Sequence, residues 1–298
     1  MSKRKTRHVA LALGSGGARG LAQIGVIRWL EENRDFDITS IAGCSMGAVV
    51  GGIYAAGKLD LYEDWVCSLT RRDVFKLLDF AFSWSGLFSG DRLMKELREM
   101  LGEANIEDLP IAFTAIATDL EKGREVWLSR GSLFDAIRAS MAIPTVFTPV
   151  VIDGRTLVDG GLVNPVPIAP TLRERGDLTI AVSLSGREEE GMDEDSTASF
   201  SDDTRPGPYQ KAIGEFIEGF QQKLGFEGKQ QPSYDMFDLI SRSLETMQNG
   251  ITRFRMAAYD PQGLIEIPVN ACGIFDFHRA REMIDLGYER AEKALSHL

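Results

Sequence analysis

The chain has 298 residues, 33 basic against 44 acidic side chains, 44% apolar residues and three cysteines. That size and composition suit one large globular unit, and they exclude collagen-like, coiled-coil and fully disordered classes. No apolar run reaches membrane-spanning length, and a net charge of −11 argues against a nucleic-acid partner, which needs a basic surface.

Cys44, Cys67 and Cys272 are far apart and form no C-x-x-C pair, so a disulfide scaffold or a zinc ribbon is not expected. The composition points to a soluble, cytoplasmic protein. Lys3, Arg4, Lys5 and Arg7 ahead of Val9–Leu13 imitate a signal peptide, but the apolar run stops after five residues at Gly14. A secretory core needs about 7–15. The segment reads as a basic tail entering a buried strand.

In chain order, His8–Leu13 is a continuous apolar run ending in glycine, the pattern of a strand covered on both faces. Leu21–Glu32 has helical spacing, with Leu21, Ile24, Ile27 and Leu30 inward. Ile38–Cys44 reads as a second strand and Met46–Ala56 as a helix ended by Gly57 at C′. Strand, glycine turn and helix thus occur twice within fifty residues, so the fold class is α/β with a mainly parallel sheet. Asp60–Leu69 and Asp91–Leu101 read as helices flanking an aromatic-rich loop at 79–90. A strand pair is expected at Ile111–Thr118 and Glu125–Leu128, then a short helix at Leu133–Met141. Val150–Val158 reads as a hairpin turning at Asp153-Gly154, and Leu178–Leu184 as a further core strand. From 188 to 233 the chain turns acidic and polar, the composition of an inserted or disordered segment, with an amphipathic helix at Tyr209–Phe226 inside it. A helix from Tyr234, a strand at Leu264–Pro268 and a terminal helix from Phe277 close the chain. The expected organisation is one domain over 1–298: a catalytic core at 8–187, the insertion at 188–233 and a helix–strand–helix end at 234–298.

The sharpest chemical signal is Gly43-Cys-Ser-Met-Gly47, a G-x-S-x-G between an expected strand and an expected helix. Small residues permit the cramped turn that lifts the Ser45 hydroxyl onto the carboxyl edge of the sheet, beside a helix amino terminus. The bland reading is an ordinary strand–turn–helix junction. Gly14-Ser-Gly-Gly-Ala-Arg-Gly20 follows the first strand. As a dinucleotide loop it fails, because Arg19 stands at the third glycine position and no acid ends the second strand. The exposed N–H groups of Gly16 and Gly17 suit an oxyanion hole beside Ser45 instead, with Arg19 bracing the loop.

The hydroxyl needs a proton acceptor, and none of the three histidines is well placed. A hydrolase triad would require His278, although Ser45 follows too few strands for that fold. Leu157-Val-Asp-Gly-Gly-Leu162 offers Asp159 at the end of a strand, before two glycines. A free aspartate, with pKa near 3.9, is a weak base toward serine, so the site must raise that pKa or draw its power from the oxyanion hole.

Taken together, Gly14–Gly20, Gly43–Gly47, Ala139-Ser-Met-Ala-Ile-Pro144 and Asp159-Gly-Gly161 resemble, in order and spacing, the patatin-like phospholipases. Asp64-Trp-Val66 and Asp276–Ala280 are similar to the bacterial RssA-type branch, related to neuropathy target esterase. The resemblance implies a three-layer α/β/α sandwich, a Ser–Asp dyad without histidine, and hydrolysis of lipid acyl esters. The acyl-enzyme chemistry expected of such a dyad calls for no metal or other cofactor. By position it makes Ser45 the nucleophile, Asp159 the base, Gly16 and Gly17 the oxyanion donors, and Ser15, Arg19 and Gly20 loop support. Gly43, Gly47, Gly160 and Gly161 are then the motif glycines. Ser15 replaces the first glycine of the family's run, a change that leaves the backbone N–H in place. The expected partner is a lipid or acyl-ester substrate, with peripheral contact at the inner membrane face. Two apolar segments are candidates for that contact. Phe80, Phe82, Trp84, Leu87 and Phe88 would form a lid or acyl-chain wall, against the bland reading that they pack over the core. The 209–226 helix has a charge-balanced polar face, which fits docking onto the domain or a partner chain better, with self-association in a homo-oligomer as the further alternative. The competing class is a scaffold protein that keeps the fold with little catalysis.

Overall fold

The computed structural model describes residues 6–77, 90–144, 146–173, 176–192 and 236–298. The aromatic segment at 80–88 and the expected helix at 209–226 lie outside these residues. Eight strands form one sheet: β1 (Arg7–Leu13), β2 (Phe36–Cys44), β3 (Ala112–Asp119), β4 (Arg124–Leu128), β5 (Val150–Ile152), β6 (Arg155–Asp159), β7 (Leu178–Gly186) and β8 (Gly263–Pro268). The order is β5-β6-β3-β2-β1-β7-β8, with β4 also pairing β3. The β3-β2-β1-β7-β8 path is parallel throughout, and the β3–β4, β3–β6 and β5–β6 pairs are antiparallel.

Helices cover both faces, giving three α/β/α layers. Alternate residues of the central strands explain the division. Val9, Leu11 and Leu13 of β1 join the large core, together with α1 (Ala22–Glu32), α2 (Met46–Ala55), α3 (Leu59–Ser68), α5 (Asp91–Leu101), α6 (Leu133–Ser140) and the terminal helix α9 (Ala280–Leu295); α4 (Arg71–Leu77) lies beside α3. On the opposite face the smaller Ala12 and Ala181 meet Ile168 of the short α7 (Ile168–Thr171) and Met256 and Tyr259 of α8 (Met236–Tyr259). Helices α1 and α9 pack backbone to backbone: a Cβ on Gly25 would fall 1.9 Å from Ile284 O, and one on Gly287 1.8 Å from Ala22 O.

Most expected elements are present within one or two residues. Gly57 ends α2 with φ +68 while the Lys58 N–H reaches Ile53 O and the Gly57 N–H reaches Tyr54 O, the paired bonds of a Schellman cap. The β5–β6 hairpin turns on Asp153 (φ 49) and Gly154 (φ 70), both left-handed as a type I′ turn demands. Three features differ from the sequence reading. The helix expected from Leu21 is preceded by a 3-10 turn at Gly17–Leu21, and the short helices α4 and α7 occupy stretches read as connections. Four and seven residues are too few to display helical periodicity.

Candidate active site

Sheet pairing alone brings positions 45 and 159 together. On one edge of β3, β4 pairs Ala115 to Asp119. On the other edge β2 runs up to Cys44 opposite Ile116, and β6 takes over with Asp159 opposite Ala117. Strands β2 and β6 therefore meet end to end along β3. Ser45 is the next residue after β2, and Asp159 is the last of β6.

Ser45 is buried at 3% exposure and holds φ 55, ψ −119, a conformation disfavoured for any residue with a Cβ. Close approach fixes the turn around it: a Cβ on Gly43 would lie 2.3 Å from Gly47 O, and one on Gly47 2.2 Å from Leu13 O. The Ser45 N–H donates to Ser140 Oγ at 2.9 Å, and Ser140 Oγ donates to Ile116 O at 2.5 Å. Ser140, the last residue of α6, thus ties the elbow to β3. It belongs to the Ala139–Pro144 motif, yet no sequence feature separated its role from helix packing. Ser140→Ala leaves the buried Ser45 N–H without its acceptor, and should lower stability by about 1–3 kcal/mol in thermal or urea denaturation.

Asp159 is 2% exposed. Its N–H donates to Ala142 O at 2.9 Å, and its carbonyl accepts from Thr118 Oγ1 at 2.8 Å. Oδ1 accepts the Gly161 N–H at 2.6 Å and caps the 3-10 turn at Gly160–Leu162, while buried Oδ2 has no partner of ordinary hydrogen-bond geometry. Burial raises its pKa to about 6, against smaller downward pulls from the Ser45 side chain and the Gly161 N–H. The two glycines that follow have no room for side chains: a Cβ on Gly160 would lie 2.3 Å from Ile116 O, and one on Gly161 2.9 Å from both Asp159 Oδ1 and Ser15 Oγ. Cys44, next to the serine, is a poor nucleophile, because burial and then the Asp159 charge push its thiol well up.

In the glycine loop, Gly14, Ser15 and Ala18 donate their N–H groups to Val182 O, Pro165 O and Ile274 O. Those of Gly16 and Gly17 have no partner among the described residues, and Gly17 has φ +57. Gly20 has a side-chain neighbour instead, Met46, whose Cγ would sit 2.3 Å from an added Cβ. Arg19, 7% exposed, clamps the loop. Its Nε donates to Gly16 O at 3.3 Å, Nη1 to Val269 O, and Nη2 to Glu245 Oε1 on α8 at 2.6 Å. Nothing in the sequence marks Glu245, whose partner is 226 residues away.

A cavity of about 340 Å³ is bordered by Gly16, Gly17 and Arg19 of the loop, by Asp159, and by Leu244, Glu245 and Gln248 of α8. His278 lies elsewhere, in the 3-10 turn at Phe277–Arg279, where burial lowers its pKa and the neighbouring charges are Asp276, Arg71, Arg279 and Glu282. Neither Ser45 nor Asp159 is among its partners. A second cavity, of about 330 Å³, is bordered by Ser40 of β2, Ala112 at the start of β3 and Glu107, whose Oε2 accepts the Gly131 N–H at 2.7 Å.

The chain is thus a three-layer α/β protein with a strained serine turn and a buried acid at one strand junction. The sequence profile described as "Patatin-like phospholipase" matches residues 11–172. An uncharacterized NTE family protein of Mycobacterium bovis is 40% identical over 96% of this chain and 91% of its own length. The neuropathy target esterase of Drosophila persimilis is 32% identical over 53% of this chain and 11% of its own. A protein of Phaeosphaeria nodorum named lysophospholipase NTE1 is 25% identical over 98% of this chain and 18% of its own. The chain belongs to the patatin-like phospholipase family and is a lipid ester hydrolase. Among the described residues no helix is long and apolar enough to cross a membrane.

Proposed function

We propose that the chain cleaves fatty acyl esters of phospholipids or lysophospholipids through a Ser45–Asp159 dyad and an acyl-enzyme intermediate. The observation that carries this reading is the buried Asp159, its pKa near 6, set against the strained Ser45 at the junction of β2 and β6. At neutral pH such a group is mainly carboxylate, yet basic enough to share a proton with a hydroxyl. Asp159 accepts the Ser45 proton as Oγ bonds to the acyl carbonyl carbon. The resulting oxyanion is held by the free N–H groups of Gly16 and Gly17, and one such donor contributes about 3–4 kcal/mol. Collapse breaks the ester C–O bond, and the departing alkoxide takes the proton back from Asp159. Water then adds to the acyl-enzyme as Asp159 takes its proton, and collapse frees the fatty acid and returns the proton to Ser45. No histidine enters the cycle. We assign the catalytic unit to 8–187 together with 234–298, since β8 pairs with β7. Peripheral contact with a lipid surface belongs to this reading, because the substrate resides there.

The test is covalent labelling. A fluorophosphonate probe should modify the protein stoichiometrically, with peptide mapping placing the adduct on Ser45. A folded protein that stays unlabelled would favour the scaffold reading, and an adduct on another residue would displace the dyad.

A further inference from the structure

Beside the elbow lies a narrow apolar slot of about 60 Å³, distinct from the cavity under α8. Its walls are Met46 and Val49 of α2, Tyr62 and Trp65 of α3, and Leu93 and Leu97 of α5. Two of its lining residues are the chain neighbours of the elbow pair: Met46 directly follows Ser45, and Met141 directly follows Ser140. The partition between slot and cavity is apolar as well. Val146 and Phe147 pack there with Met141, Ile143, Phe275 and Phe277. Of these, Ile143, Val146 and Phe275 border the cavity, while Met141 and Phe277 border the slot.

We infer that this slot is the acyl-chain site, and that the cavity under α8 receives the alcohol portion of the substrate; the inference rests on Ser45 being the nucleophile. The two spaces differ in what they can desolvate. The cavity presents Arg19, Glu188, Glu245, Gln248 and Asn270, and an alkyl chain laid over them would strip water from charged groups without replacing it. The slot presents hydrocarbon, where each buried methylene is worth about fourfold in affinity. Met46 and Met141 are unbranched thioethers able to swing aside, so the slot lengthens as a chain enters. Chain-length preference is therefore set by α3 and α5, far in sequence from the reacting groups.

Leu93 and Trp65 are both half-buried on the slot wall, which allows it to be narrowed or widened without opening the core. The full chain is assayed on 4-nitrophenyl butyrate and 4-nitrophenyl palmitate in the same detergent. Leu93→Trp should reduce kcat/KM for the palmitate at least about tenfold and leave the butyrate within about twofold. Trp65→Ala should shift the palmitate-to-butyrate ratio the other way. An unchanged ratio in Leu93→Trp with butyrate activity retained overturns the slot. Should Leu93→Trp lose butyrate activity too, Trp65→Ala decides, and an unchanged ratio there overturns it. A wild type whose hydrolysis of both esters survives Ser45→Ala is a different result, since it removes the dyad on which the slot depends.

Discussion

Ser45→Ala should abolish ester hydrolysis, by at least about 10⁴-fold in kcat, while the protein remains folded. The side chain lost is the one that would form the covalent bond, and the residual rate is what the glycine loop and substrate binding supply without a nucleophile. Folding is not at risk, because the elbow is held by the Ser45 N–H, donated to Ser140 Oγ at 2.9 Å, and by glycines whose neighbours leave no space for a Cβ. Alanine keeps the penalty of φ 55, whereas glycine adopts that conformation freely. Ser45→Gly should therefore be equally inactive and melt higher than Ser45→Ala. Fatty-acid release and differential scanning calorimetry on the two variants separate the chemistry of the hydroxyl from the strain of its backbone.

Asp159→Asn should reduce kcat by about 10²–10⁴-fold, the contribution of a positioned base. His278→Ala, at a residue whose charged neighbours are Asp276, Arg71, Arg279 and Glu282, should leave it unchanged. The pH dependence follows from the sign of the shift. Burial raises the Asp159 pKa from 3.8 to about 6, so the base is protonated and activity declines as pH falls through that value. The kcat/KM profile of the wild type should show an acid limb near pH 6 that vanishes in Asp159→Asn. Stability responds in the opposite direction. With the folded-state pKa above the unfolded one, the native protein loses stability as pH rises from about 4 to 6, and above that it carries an unfavourable charge worth about 3 kcal/mol. Asparagine has no such charge. The variant should melt no lower than the parent at pH 8, and a lower Tm there would mean that the carboxylate is supporting the fold.

The sequence displays what is encoded locally. The G-x-S-x-G turn, the Asp153-Gly154 hairpin and the Gly57 cap each depend on neighbours within a few residues, and each is where the residue types put it. Helix α4 carries a local mark as well: Thr70 and Asp73 form a reciprocal cap, the Thr70 N–H donating to Asp73 Oδ2 at 3.2 Å and the Asp73 N–H to Thr70 Oγ1 at 3.3 Å. What is set by distant contacts could not be read. Ser140 looks like any small residue of an amphipathic helix until Ile116 and Ser45 stand beside it, and Glu245 looks like an ordinary helix acid of α8 until Arg19 faces it. The pKa of Asp159 was likewise beyond reach, since it arises from burial by residues contributed by several elements.

The end-to-end meeting of β2 and β6 along one edge of β3 has an evolutionary consequence. The gap between positions 45 and 159 is fixed by main-chain hydrogen-bond spacing and is independent of how much chain joins them. Insertions and deletions at the rim can then redirect which molecules are admitted while the central geometry stays constant. Diversification by rim exchange on an unaltered scaffold is open to such a protein, and the same independence makes loop grafting the natural route for re-engineering it.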